Sequence, residues 1–236
     1  MKAKEIETIN KTEKELEERF GIIFSDVELL FTALVHPSYR NENLNVLEDN
    51  QRLEFLGDSV IGLIISETLF KLHKNANEGM LSQMRSHLIK GKTLARKAKE
   101  IGLNKYVLLG NGEELQGGRE KESILSDLFE AFIGALFLDK GYEFTKEFVL
   151  KIFKEDLENI EYEIDWKNIL RSVLLKQGKK FEYRLVKEEG PEHNKVFYIE
   201  LWVDNEKISE GIGKNKSQAE MQAAQKALEK LGKNVY

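Results

Sequence analysis

Four carboxylates stand out in the sequence by their spacing. In NQRLEFLGDSVIGLIISETLF, residues 50–70, Glu54, Asp58, Gly62 and Ser66 recur every four residues. In KESILSDLFEAFIGALFLDKG, residues 121–141, Ser123, Asp127, Glu130 and Gly134 recur at intervals of four, three and four. Such intervals put each set on one face of a helix. The remaining residues are mostly Leu, Ile, Val and Phe, and neither stripe carries a Lys or Arg partner. A helix that is apolar nearly all round is expected to be buried. A carboxylate buried with it must be paired, neutralised or bound to a metal. Two such helices face to face would gather four carboxylates, which a cation stabilises at neutral pH. All-oxygen ligation selects a hard ion, Mg²⁺ or Mn²⁺, and carboxylate-held ions of this kind suit phosphodiester cleavage. The alternative, acids lining a solvated groove or capping helices, fits one such pair better than two matched stripes.

The elements that carry these acids can be read from periodicity. A helix is expected over about 50–73, after a polar loop at 40–50, and a second long apolar helix over 121–141, followed by an amphipathic one to about 157. A glycine inside a helix costs about 1 kcal/mol relative to alanine. Gly57, Gly62 and Gly134 are therefore expected where another backbone comes close. Residues 13–34 and the segment from 75 to about 103 read as further helices, and GNGEELQGGRE at 110–120 reads as a loop. No convincing strand alternation precedes residue 160. Beyond it the pattern changes. A helix at 166–177 precedes three alternating runs, KFEYRLVKE, KVFYIELWVD and EKISEGIG, separated by turn signals. An alanine-rich helix follows, with Asn215 and Gln218 placed as a capping box. The expected fold class is multidomain: an all-α domain followed by a small α+β domain of order α-β-β-β-α.

Composition narrows the chemistry further. There is no cysteine, so disulfides and thiolate metal sites are excluded, and His36, His73, His87 and His193 lack zinc-ligand spacing. The net charge of −5 is uneven: residues 161–236 hold 14 Lys+Arg against 13 Asp+Glu, while the remainder is acidic. Two units with different tasks are expected. The charged N-terminus has no apolar core, and no apolar run approaches the roughly 20 residues of a membrane span, so a soluble, cytoplasmic protein without membrane contact is expected. SHLIKGKT at 86–93 lacks the first glycine of a Walker loop, and no nucleotide cofactor is expected. No histidine follows Glu54 or Glu130 at the spacing of a di-iron carboxylate bundle.

The motifs themselves resemble a family. NQRLEFLGDSVIG resembles the signature of bacterial ribonuclease III, and KESILSDLFEAFIGALFLD resembles that family's second acidic motif. NEGMLSQMRSHLI resembles the segment between them, FTALVHPSYR resembles an early element, and the α-β-β-β-α tail resembles a double-stranded RNA-binding domain. The resemblance implies a ribonuclease III catalytic domain at 8–158 and a double-stranded RNA-binding domain at 163–234. It implies a homodimeric endoribonuclease that hydrolyses double-stranded RNA by divalent-metal-assisted water attack. The products would be 5′-phosphate and 3′-hydroxyl ends, and the role would be processing of rRNA, mRNA and tRNA precursors. It implies Mg²⁺ as cofactor, with Mn²⁺ able to substitute. Glu54, Asp58, Asp127 and Glu130 would form the metal cluster, Asp58 and Glu130 being most directly tied to catalysis, with Glu78 auxiliary. His193, Lys195, Lys214 and Lys216 would meet the RNA, the lysines near the last helix using its N-terminal dipole. Three departures stand out: Gln51 where many relatives have glutamate, Arg171-Ser172 where Gln-Glu is common, and Lys216-Ser217 where Lys-Lys is usual. Fewer phosphate contacts imply modest duplex affinity and a shallow salt dependence.

Overall fold

A computed structural model of the chain describes residues 3–74, 76–191 and 195–233. It divides into two compact units, Met1–Thr68 with Arg85–Glu158, and Leu69–Met84 with Asn159–Tyr236. The helices are α1 (Ala3–Phe20), α2 (Val27–Leu34), α3 (Pro37–Glu42), α4 (Gln51–Leu72), α5 (Glu78–Leu88), α6 (Gly91–Glu100), α7 (Asn111–Leu115), α8 (Glu122–Ile152), α9 (Lys154–Glu163), α10 (Trp166–Lys176) and α11 (Lys216–Lys233). The strands β1 (Phe181–Glu189), β2 (Val196–Val203) and β3 (Glu206–Gly213) lie between α10 and α11. The expected helical domain and α-β-β-β-α tail are both present.

In the first unit α8 is the axis of the core. Leu125, Leu128, Phe129, Phe132, Ile133 and Leu136 are all fully buried along it. Each such side chain contributes roughly 1.5–3 kcal/mol relative to exposure. Phe132 packs edge-on against both Phe24 and Phe148, tying α8 to the segment before α2 and to its own second half. The helix breaks at Gly141, whose φ of 78° favours glycine. The apolar stretch and the amphipathic stretch are therefore two segments meeting at a glycine, as the sequence pattern implies.

The expected loop at 110–120 instead contains α7 and a 3₁₀ turn, Gly118–Glu120. The first backbone donors of this segment are satisfied from α3: Gly110 N–H donates to Ser38 Oγ at 2.9 Å and Asn111 N–H donates to Glu42 Oε2 at 2.9 Å. Partners some seventy residues away in sequence leave no local signal. The segment expected as a loop from residue 40 likewise begins inside α3, which starts at Pro37 with His36 Nδ1 accepting the Ser38 N–H.

In the second unit the three strands form one antiparallel sheet of order β1-β2-β3. Asp204 and Asn205 take φ of 49° and 68° in the β2–β3 turn, the paired positive values that a tight hairpin needs. The alanines of α11 have a packing reason. A Cβ on Gly211 of β3 would lie 2.0 Å from the Ala219 carbonyl oxygen, so helix and sheet touch backbone to backbone. Ala219, Ala223, Ala224 and Ala227 are buried at that contact. The capping box forms with one change of partner. Gln218 N–H donates to Asn215 Oδ1 at 2.8 Å, but the Gln218 side chain accepts from Lys214 N–H at 3.2 Å.

Candidate active site

The site is built where α4 crosses α8. A Cβ on Gly57 would sit 1.8 Å from the carbonyl oxygen of Glu130, and one on Gly134 would sit 2.2 Å from that of Leu53. Only glycine at both positions lets the backbones come this close. The third glycine singled out by sequence, Gly62, has nothing within 4 Å and marks no approach. Glu54 lies one turn before Gly57, and Glu130 one turn before Gly134, with Asp127 a turn earlier again. The crossing therefore draws the acids together. Glu54, Asp127 and Glu130 each offer a carboxylate oxygen, all within 4.8 Å of one another.

The acids are not deeply buried. Glu54, Asp127 and Glu130 are half-buried and Asp58 is exposed. The expectation that α4 is covered on every side fails, because Phe55 and Leu63 are 78% and 57% exposed. One flank of α4 is open, and the acids themselves are half-buried or exposed, so solvent and a ligand can reach them. The solvated-groove reading and the metal reading thus describe the same place. Asp58 stands outside the close trio, but its charge acts on both Glu54 and Glu130.

Burial, with crowding added at Glu54 and Glu130, governs the protonation of the cluster. Burial, then the charges of Asp58, Asp127 and Glu54, push the Glu130 carboxyl up to about 8. Burial, then Asp127, Asp49 and Asp58, raise Glu54. Burial raises Asp127, against a lowering pull from His36. A divalent cation would reverse this strain, and the donor set is carboxylate oxygen alone, which fits a hard ion. The residues present therefore fit a divalent metal.

His36 is a neighbour to which the sequence reading gave no role. Its ring is held below its ordinary pKa by burial, although Glu113, Asp127 and Asp49 pull the other way. Nδ1 lies 3.2 Å from the Ser38 backbone nitrogen and 2.8 Å from Ser38 Oγ, contacts that fix the orientation of the ring. Glu113, paired with Lys121 at the start of α8, shares that surrounding field. The HPSY motif was the available signal for His36, but only the fold places it near Asp127. Gln51 is exposed, its backbone N–H donating to Asp49 Oδ1 at 3.2 Å.

The other sequence-derived positions lie in the second unit. Glu78 is exposed in the first turn of α5, and Ser82 donates to its carboxylate at 2.7 Å. Lys195 directly precedes β2, and Lys214 and Lys216 flank the start of α11. His193 lies outside the described residues.

A helical unit with a crossed-helix carboxylate cluster that could hold a metal, joined to an α-β-β-β-α unit, is the architecture that the sequence motifs lead one to expect. The comparisons agree. Residues 26–157 match the family described as Ribonuclease-III-like, and residues 166–231 match the double-stranded RNA binding motif. Ribonuclease 3 of Enterococcus faecalis is 45% identical over 226 residues, covering 94% of this chain and 98% of that protein. Ribonuclease 3 of Borreliella burgdorferi is 45% identical over 218 residues, covering 91% and 89%. The solved nuclease domain of ribonuclease III from Campylobacter jejuni, described for flexibility in a region involved in dimer formation, aligns with a TM-score of 0.56. It is 39% identical and covers 60% of this chain and 96% of that one. The chain belongs to the ribonuclease III family. That membership, with the RNA-binding motif, supports endoribonuclease activity on double-stranded RNA and dependence on a divalent metal. No helix among the described residues is long and apolar enough to cross a membrane.

Proposed function

We propose that this protein is a Mg²⁺-dependent endoribonuclease that hydrolyses double-stranded RNA to 5′-phosphate and 3′-hydroxyl ends, in the cytoplasm, during maturation of rRNA, mRNA and tRNA precursors. The observation that carries the reading is the gathering of Glu54, Asp127 and Glu130 by two helices that touch at Gly57 and Gly134. The catalytic domain runs over residues 8–158 and the RNA-binding domain over 163–234.

Glu54, Asp127 and Glu130 hold the metal, with Asp58 completing the acid set. A bound Mg²⁺, replaceable by Mn²⁺, supplies Lewis-acid activation of water and charge stabilisation at the leaving oxygen. Glu130, with its carboxyl pushed up to about 8, holds a proton at neutral pH without metal and releases it when a cation replaces it. Asp58, exposed beside the trio, orients the attacking water. Glu78 is auxiliary. His193, Lys195, Lys214 and Lys216 contact the duplex through phosphate and groove shape rather than base sequence.

The catalytic unit acts as a homodimer. Phe55, Leu63 and Leu138 leave large apolar surfaces open. Phe55 and Leu138 also border a groove of about 760 Å³ with Leu29, Leu53 and Leu56. Apolar surface of this kind marks an interaction site, and the Campylobacter jejuni domain is described in terms of dimer formation.

A substrate panel tests the function. A long RNA duplex, its single strand and the matching DNA duplex are each incubated with the protein in Mg²⁺ and in Ca²⁺. The expected outcome is cleavage of the RNA duplex alone, in Mg²⁺ alone. Binding of the duplex without cleavage would instead make the protein a duplex-RNA-binding regulator.

A further inference from the structure

The sheet of the second unit sets Glu188, Phe197 and Gly213 side by side across three strands, since Glu188 pairs with Phe197 and Phe197 with Gly213. A Cβ on Gly213 would lie 2.5 Å from the backbone nitrogen of Ala219, so this end of the row lies directly beneath the first turn of α11. Lys216, the first residue of α11, comes down over the row. Its Nζ is 6.0 Å from the centre of the Phe197 ring and 3.6 Å from Glu188 Oε1. Lys195 approaches the other oxygen, with Nζ 3.8 Å from Oε2. One carboxylate is thus shared, oxygen by oxygen, between two lysines that are assigned above to RNA phosphate.

We infer that Glu188 is a built-in competitor of RNA phosphate, which neutralises Lys195 and Lys216 in the free protein and sets duplex affinity below what those lysines alone would give. The inference rests on reading Lys195 and Lys216 as RNA contacts. A carboxylate presents two anionic oxygens, as a phosphate does. All three side chains are partly exposed, so these ion pairs are weak and exchangeable rather than locked. Binding the duplex exchanges each lysine's carboxylate partner for a phosphate and leaves Glu188 facing like charge. Both effects oppose binding, and both fade as salt screens them. Glu188 is therefore a determinant of affinity and of salt response that does not itself contact the reacting atoms.

The neighbouring Glu189 supplies the control. It carries the same charge one residue along β1, but it pairs with Lys187 and Tyr198 instead. Duplex affinity is measured with the full chain in EDTA, so that nothing is cut, on RNA longer than the about 16 base pairs such a domain spans. The parent is compared with Glu188→Gln, Glu189→Gln, the Lys195→Ala/Lys216→Ala pair, and that pair combined with Glu188→Gln. Glu188→Gln is expected to tighten binding about threefold to tenfold at low salt and to steepen the salt slope by about one. Glu189→Gln should give a clearly smaller gain. The lysine pair should weaken binding, and adding Glu188→Gln to it should restore little, because the competition has been removed. If Glu188→Gln binds no tighter than Glu189→Gln while the lysine pair loses affinity, the lysines are RNA contacts and the competitor role is wrong. If the lysine pair binds like the parent, the lysine assignment fails and takes the inference with it.

Discussion

Glu130→Gln is expected to lower the rate of duplex RNA cleavage about a thousandfold or more while making the metal-free protein more stable at alkaline pH. The rate loss follows from removing a proposed metal ligand, where a bound cation would stabilise transition-state charge by several kcal/mol, since each 1.36 kcal/mol is a factor of about ten. The stability gain follows from proton linkage. The Glu130 carboxyl is pushed up from 4.5 to about 8 in the folded protein, by burial first and then by Asp58, Asp127 and Glu54. Between those values the folded state holds more protons than the unfolded one, so metal-free stability declines as pH rises through about 8. Discounted for solvent contact and for sharing of the proton among coupled acids, the effect is about 2 kcal/mol. Melting in chelator should therefore show Glu130→Gln above the parent at pH 8.5 and close to it at about pH 5. Equal melting curves at both pH values would contradict a Glu130 carboxyl raised by burial and by its acidic neighbours.

Gly57→Ala should be the most damaging small substitution in the catalytic unit. Its Cβ would lie 1.8 Å from the Glu130 carbonyl oxygen, a backbone atom of a helix anchored on either side by the fully buried Leu128, Phe129, Phe132 and Ile133, so it cannot readily step aside. Overpacking of this kind costs about 3 kcal/mol or more, against a gain of about 1 kcal/mol in helix propensity. Gly134→Ala, with a 2.2 Å clash on Leu53, should behave the same way. Gly62→Ala meets nothing within 4 Å and should be neutral or slightly stabilising. Urea denaturation of the three variants tests this ordering. Folded Gly57→Ala protein should also cleave poorly, because shifting the helices by about 1 Å at a site of this kind costs about a hundredfold.

The contrast among these glycines marks what the sequence could and could not say. Helix and strand identities were legible because apolar spacing is a local property: α4, both segments of α8, the three strands and α11 all lie close to where periodicity placed them. The acids were legible as two stripes. That the stripes meet was inferred from an energetic argument about buried charge whose premise was only half right, since α4 keeps an open flank at Phe55 and Leu63. Gly62 looks like Gly57 in the sequence, because both interrupt the same apolar helix. Which glycine touches another backbone depends on the crossing point, a tertiary fact. The same holds for α7, whose first turn is completed by Ser38 and Glu42. It holds as well for His36, which is brought near Asp127 by the fold, and for Glu188, whose pairing with Lys195 and Lys216 crosses the sheet and has no trace in local spacing.

The central claim is that the two crossed helices build a hard-metal site. The most direct measurement is Mn²⁺ binding to the protein without RNA at pH 8, read by the loss of the free-ion electron paramagnetic resonance signal. It compares the parent with Glu54→Gln, Asp127→Asn and Glu130→Gln, each first shown to be folded. The account predicts saturable binding by the parent, weakened at least about tenfold by each single substitution. Undiminished Mn²⁺ binding by all three variants would contradict it, because the acids gathered by Gly57 and Gly134 would then not be the ligands.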